Sequence, residues 1–516
     1  MSPMLALYSW PAISALILRK LHLPLAILVI IIMGYMVLPP RFAIDFPMVP
    51  PMDKNVIPVL TATLLTFLMA SRVDPSLYLK GYLPRNSVAL GLIALLIFGS
   101  IGTAMTNGDR IVTPLEVKDG LTLYEGFSMM FNFVFLLLPV LVGRKYFARP
   151  EMHRLILIVL CLAACAYAFL ALYEVRMSPR LNRVFYGFTP HSWVQHIRGD
   201  GFRPMVFMAH GLRVALFFAL SLIAAVGLFR VGWKTGPIIL VILWLGLTLV
   251  FCKSLGAIMI ALLIIPMVLF LSTRALILAA AIIGFMVLAY PMLRGSGYAP
   301  VGPVISVAHS INPQRAESFA FRLENEDILL ERANQRPMFG WGGFGRSFVR
   351  NEKGIDITVP DGYWVIIIGK GGWSRYIGEF GLMMSPMLFL FFYRRRMDIS
   401  RETAVLSIML AGNMIDLIPN SGLTPITWLI TGALWGRLEL GTQAAGLSSG
   451  SQQDNTPPEI REAAPRYARD FGTPPPQRHG KNAASSTGAG RTPAASEQGR
   501  YSRYAKDRRE EPESSA

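Results

Sequence analysis

The sequence predicts an all-α, polytopic membrane protein: about twelve transmembrane helices, a large and partly helical periplasmic loop, and a polar tail. Three observations carry that prediction. The 516 residues are 53% hydrophobic and only 16% charged, and the mean hydropathy of +0.46 lies above what soluble domains reach. Apolar runs of span length recur between polar breaks as far as residue 440. After Leu440, Gly, Ser, Pro, Gln and scattered charge dominate to Ala516. A segment of that composition has no core to bury, so 441–516 reads as a disordered cytoplasmic tail.

The elements follow in order. Residues 4–18 are apolar but short and end at Arg19-Lys20. With no basic start and no clear cleavage site, they read as an interfacial helix or partial span, not a signal peptide. Spans are expected at 23–38, 56–70, 88–106, 127–143, 155–173 and 214–229, then at 237–252, 256–272, 275–293, 376–393, 404–418 and 423–436. Short basic connections hold Arg72, Lys80 and Arg85; Arg144, Lys145, Arg149 and Arg154; Arg230 and Lys234; Arg274; and Arg394-Arg395-Arg396. They fall on one face, which makes that face cytoplasmic. An even number of spans then puts both termini of the 1–440 membrane domain in the cytoplasm. Positive loops and a basic tail account for the net charge of +17, and no zinc-finger spacing or aromatic-basic motif points to nucleic acid. Cys161, Cys165 and Cys252 sit in apolar runs, so no disulfide framework is implied.

Two long loops, 174–213 and 294–375, fall on the opposite face. Both are rich in arginine, against the usual bias, which long loops are allowed to break. Solvation and headgroup contact explain this equally with a site for a pyrophosphate or acidic glycan. Residues 316–337 read as a helix. Arg322 and Glu326 are four apart and should pair. Arg332 and Arg336 offer two guanidinium forks before Pro337 stops the helix. The run Gly340-Trp-Gly-Gly-Phe-Gly345 follows. Gly340, Gly342, Gly343 and Gly345 either present an anion nest or let the loop pack tightly over the spans.

Other polar residues are candidates beside bland alternatives. His210 and Arg213 share a helical face with Arg203 upstream; His191 and His196 lie in a wet loop, and the three histidines lack metal-ligand spacing. Asp361 is either a base or a turn residue before Gly362. Glu379 reads as a cap at the positive end of a span. Asp416 with Asn413 is a polar pair inside a span. Trp364 and Trp373 read as interfacial anchors.

Arg322-x3-Glu326 followed by Arg336-Pro-Met-Phe-Gly-Trp-Gly-Gly-Phe-Gly resembles the characteristic loop of the O-antigen ligase and O-antigen polymerase superfamily. Gly201-Phe-Arg203-Pro, Lys253-Ser-Leu-Gly-Ala257 and Glu379-Phe-Gly-Leu382 are similar to three further landmarks of that family, in its order. Two departures stand out. The histidine that family ligases carry before Glu-x-Gly-Leu is missing, with Asp361 the nearest titratable group. The arginine of Ser-Arg-Gly-Ala is replaced by Leu255, with Lys253 close by. Both fit a divergent exopolysaccharide polymerase.

The resemblance implies glycosyl transfer from a polyprenyl-pyrophosphate-linked saccharide to a glycan or lipid acceptor hydroxyl, in a bacterial inner membrane. Arg203, Arg213, Lys253, Arg322, Arg332 and Arg336 would then hold the pyrophosphate. Asp361 and His210 would be catalytic, and Glu326, Glu379 and the four glycines structural. Membrane lipids and polysaccharide export machinery are the expected partners, with no nucleic acid, metal or cofactor; no nucleotide-binding motif is present. O-antigen ligase is the nearest alternative. A transporter or flippase of lipid-linked saccharide is the rival from another class.

Overall fold

The computed structural model describes residues 2–450 except 47–48, 70–74, 199–200, 299–301, 303–304, 307–308 and 311–312. Arg72 and Asp200, and the tail from 451 onward, therefore lie outside the described residues. The described residues are mostly helical. The helices are α1 (Pro3–Lys20), α2 (Leu23–Val37), α3 (Ile57–Leu68), α4 (Ser87–Met105), α5 (Leu123–Tyr146), α6 (Pro150–Met177), α7 (Leu181–Tyr186) and α8 (Gly211–Arg230). Then come α9 (Thr235–Phe251), α10 (Leu255–Phe270), α11 (Thr273–Gly295), α12 (Pro313–Asn334), α13 (Tyr363–Tyr393), α14 (Arg401–Asp416) and α15 (Pro425–Gly450). Three two-stranded antiparallel hairpins occupy loops: β1 (Ala43–Phe46) with β2 (Val49–Asp53), β3 (Ile111–Val112) with β4 (Val117–Lys118), and β5 (Ile197–Arg198) with β6 (Gly201–Phe202).

Six helices, α4, α5, α6, α8, α11 and α13, are long and apolar enough to cross a membrane. Helices α2, α3, α9 and α10 are shorter apolar ones. Each apolar run picked out above coincides with a helix over most of its described residues. The last helix continues past Leu440 to Gly450, beyond the point where the composition changes.

Packing explains several residues. Where α5 crosses α15, a Cβ on Gly432 would sit 2.0 Å from the Val140 carbonyl oxygen, and one on Gly143 would sit 2.3 Å from that of Leu429. Only small residues let two backbones approach so closely. The crossing ends in a buried ion pair, Arg144 Nη2 to Glu439 Oε2 at 2.6 Å. Helix α13 is two helices joined at Gly372, whose φ of 66° and ψ of −166° break the helical path. The glycine run after α12 packs into this break.

Candidate functional site

Five arginines line one cavity of about 640 Å3: Arg41, Arg198, Arg203, Arg213 and Arg322. They come from five segments. Arg41 lies just past α2, Arg198 in β5, Arg203 just past β6, Arg213 in the first turn of α8 and Arg322 in α12. Asp361 and Asp416, with His191 and His210, complete the charged and titratable lining. The C-terminal ends of α2 and α14 and the N-terminal ends of α8 and α13 therefore meet around it.

The charge balance is positive. Arg322 Nε lies 3.2 Å from Asp361 Oδ2. Asp416 accepts from Asn420 Nδ2 at 2.8 Å. Arg213 Nη2 donates to the Ser421 carbonyl at 3.4 Å, and Arg203 Nη2 to that of Lys253 at 3.2 Å. Among the described residues, none of Arg41, Arg198 and Arg213 is within ion-pair distance of a carboxylate. Five guanidinium groups against two carboxylates suit a multiply charged anion, which arginine binds through two parallel hydrogen bonds.

The segment feeding this wall is held by a residue that the sequence left silent. Glu174, near the end of α6, accepts the backbone N–H groups of Leu181 at 2.8 Å, Met205 at 2.8 Å and Val206 at 2.7 Å. Val206 takes φ 49°, an uncommon conformation for a β-branched residue. Lys54 donates to the Phe207 carbonyl at 2.7 Å and the Leu38 carbonyl at 2.9 Å, joining this turn to the end of α2. Burial pushes the Lys54 ammonium down to about 7, with Arg213 adding to the effect. Arg203 and His210 flank this turn and are placed by it.

The three histidines converge although their spacing gave no metal pattern. Their ligating nitrogens lie within 4.8 Å of one another. His196 Nδ1 meets the Ser192 carbonyl at 2.9 Å. His210 caps α8, its Nδ1 accepting from Leu212 N–H at 3.1 Å. Ligation through His210 Nε2 would place a proton on Nδ1, facing that N–H, so the cap opposes a metal-holding role. Burial pushes His196 down to about 4 and His210 down to about 3, so both rings stay neutral at physiological pH.

Three of the residues proposed for the anion do not reach the cavity. Lys253 turns its ammonium to the Arg198 carbonyl, 2.8 Å away, and so clamps the β5–β6 hairpin. Arg332 and Arg336 stack on Trp341, with guanidinium carbons 3.3 and 4.2 Å from the ring centroid. Arg336 also pairs with Asp109 at 2.9 Å. The first half of the glycine run spends its donors on packing, with Gly340 N–H going to the Arg336 carbonyl at 2.9 Å. Trp341 N–H donates to the Gly369 carbonyl and Gly342 N–H to that of Lys370, both at 2.8 Å. A Cβ on Gly340 would lie 2.6 Å from the nitrogens of Gly371 and Gly372. Gly345 takes φ 69°, and Arg346 N–H turns back to the Gly343 carbonyl. These glycines seat a collar in the break of α13.

Other expectations are corrected as well. Glu326 does not pair with Arg322, which reaches Asp361 instead. It is buried, accepting from Trp364 Nε1 at 3.4 Å and Tyr290 Oη at 3.5 Å. That burial pushes its carboxyl up to about 7, against the lowering effect of Trp364, Arg294 and Tyr290. Trp364 is 1% exposed, a core residue and no interfacial anchor; Trp373 is partly buried beside Tyr376. Glu379 lies inside α13, not at its start, and binds Arg375 Nε at 2.7 Å and Tyr363 Oη at 2.5 Å. Asn413 binds Thr427 rather than Asp416.

No protein-family model matches the chain, and no curated protein matches it significantly. Two arginines of the cavity, Arg41 and Arg198, were not singled out from sequence. The signal available for Arg41 was a lone cation directly after an apolar run and Pro39-Pro40.

Proposed function

We propose that this chain is a membrane glycosyltransferase that polymerises a surface or secreted polysaccharide from a polyprenyl-pyrophosphate-linked saccharide. One observation carries the reading: a cavity at the ends of apolar helices gathers five arginines and two carboxylates. A lipid-linked donor presents a pyrophosphate at the edge of the apolar layer, which is the level where such helices end. In this reading the twelve apolar helical segments all span, the cavity opens on the periplasmic side, and both termini are cytoplasmic.

The acceptor hydroxyl oxygen attacks the anomeric carbon, and the bond from that carbon to the pyrophosphate oxygen breaks. The electron pair leaves with the pyrophosphate, whose growing charge meets Arg203, Arg213 and Arg322. The hydroxyl proton passes to Asp361, whose second oxygen remains open while Arg322 holds the first. No nucleotide is required.

The break in α13 is the observation that would favour a transporter of lipid-linked saccharide, because broken helices build transport sites. Here the freed N–H groups of Trp373 and Ser374 already donate to the Pro337 and Met338 carbonyls. The break therefore anchors a loop, and these two donors are not left for a substrate. Deleting the gene and sizing the lipid-linked glycans separates the readings. Single repeats on the carrier are the expected result; long chains on the carrier would indicate a ligase. A normal glycan pool would remove the glycosyltransferase reading.

A further inference from the structure

We propose that His210 serves this cavity as a neutral hydrogen-bond donor, fixed in the Nε2–H form by its own helix, giving that hydrogen to a pyrophosphate oxygen. The proposal deepens the glycosyltransferase reading and rests on it for the identity of the anion.

The geometry runs from backbone to ligand. His210 stands at the N-cap of α8 in extended conformation, φ −155° and ψ 147°. Its Nδ1 accepts the Leu212 N–H at 3.1 Å, a donor that a helix start leaves without an intrahelical partner. An imidazole nitrogen that accepts carries no proton, so in the neutral ring the hydrogen sits on Nε2. His210 lines the cavity beside Arg203 and Arg213. Among the described residues Nε2 has no hydrogen-bond partner, and it is not enclosed as the His191 Nδ1 atom is.

The surroundings keep the ring neutral. Burial is the largest cause, followed by His196, His191, Arg203 and Arg213, all of which disfavour a second positive charge. The positive end of α8 acts in the same direction. A neutral imidazole at a helix start is a known device for polarising an oxygen without supplying a proton. His210 keeps its proton throughout the transfer, so bond making and breaking are unchanged; only the charge on the leaving oxygen is better stabilised.

The test uses the full chain in lipid nanodiscs with 15N-labelled histidine. One histidine, identified by its loss in His210→Gln, is expected in the Nε2–H form and without titration between about pH 5 and 8. A ring in the Nδ1–H form, or one that titrates in that range, overturns the proposal. Binding of inorganic pyrophosphate gives the second readout. His210→Asn keeps a good cap and so the helix, but its amide is too short to reach the ligand. It should bind pyrophosphate about tenfold or more weakly. His210→Gln restores a reaching N–H and should stay within a few fold of wild type. Equal binding by His210→Asn and wild type overturns the donor role. Zinc held one-to-one by the purified chain and lost in His210→Asn overturns it in favour of a metal ligand. Absence of pyrophosphate binding in wild type, with the tautomer confirmed, rejects the anion reading and leaves the ring's form standing.

Discussion

Two arginine-rich regions, the collar after α12 and the cavity drawn from five segments, are given opposite surroundings by the structure. In the collar, Arg332 and Arg336 stack on Trp341, and Arg346 is 1% exposed. Arg346 donates to the Trp341, Asp119 and Asp109 carbonyls at 3.2, 2.8 and 2.9 Å. Arg336 and Arg346 are met by carbonyls and by Asp109, while Arg332 is packed on the ring, donates to Gln335 and keeps a buried Nε without a partner among the described residues. In the cavity, Arg41, Arg198 and Arg213 face open space without a carboxylate partner among the described residues. Density of arginine in a motif therefore does not locate an anion site. What locates it is positive charge that the protein leaves for something else to neutralise.

Substitutions break or sharpen this contrast. The largest effect is expected at the cavity. Arg213→Ala should lower polymer synthesis per inserted molecule by about a hundredfold or more, because a charge-assisted contact to the leaving group is lost. Protein level should stay near normal. Normal synthesis by this variant would erase the distinction between the two regions.

The collar should answer with stability instead. Arg346→Ala removes the buried guanidinium that ties the Trp341, Asp119 and Asp109 carbonyls together and should destabilise by roughly 2–4 kcal/mol, read as a fall in melting temperature in detergent. Turnover per folded molecule should change by only a few fold. Gly372→Ala attacks the same collar from the other side. Its φ of 66° is strained for any Cβ, and that Cβ would lie 2.4 Å from the Met338 carbonyl. A loss of roughly 2–4 kcal/mol is expected, and an unchanged melting temperature would show that the break in α13 is not needed.

The smallest effect is a pH dependence at Glu326, between the two regions. Its carboxyl is raised to about 7 in the folded chain, against an ordinary value near ~4.3. The folded state thus binds the proton more tightly than the unfolded state. Wild-type stability falls as pH rises from the ordinary value to about 7 and levels off above it. Glu326→Gln does not titrate, so it should gain on wild type across that window, by about 1–3 kcal/mol at pH 8. Parallel melting temperatures for both proteins from pH 5 to 8 would contradict a buried, weakly acidic Glu326.

Apolar run length made the helices legible, since a helix that faces lipid must be continuously apolar. Part of the site was legible too. Arg203, Arg213, Arg322, Asp361 and His210 were picked out, and they share the cavity. The failures have local causes. Spacing of four placed Arg322 beside Glu326, but the tertiary partners Asp361 and Trp364 compete better for them. Nothing in the sequence revealed that Trp341 would fold back under Arg332 and Arg336. Glu174 looked like ordinary loop charge, because its three donors arrive from residues 181, 205 and 206, which only the fold brings to it. The histidine cluster was hidden for the same reason, being assembled by the β5–β6 hairpin across a turn.

The most direct test of the account pairs one arginine from each region. Arg322→Lys and Arg332→Lys both keep the charge and lose the fork. Polymer length per unit of membrane-inserted protein is the measurement. The account predicts a severe defect for Arg322→Lys and nearly normal polymer for Arg332→Lys. The reverse pattern, with Arg322→Lys active and Arg332→Lys inactive at normal protein level, would move the anion site to the collar and contradict it.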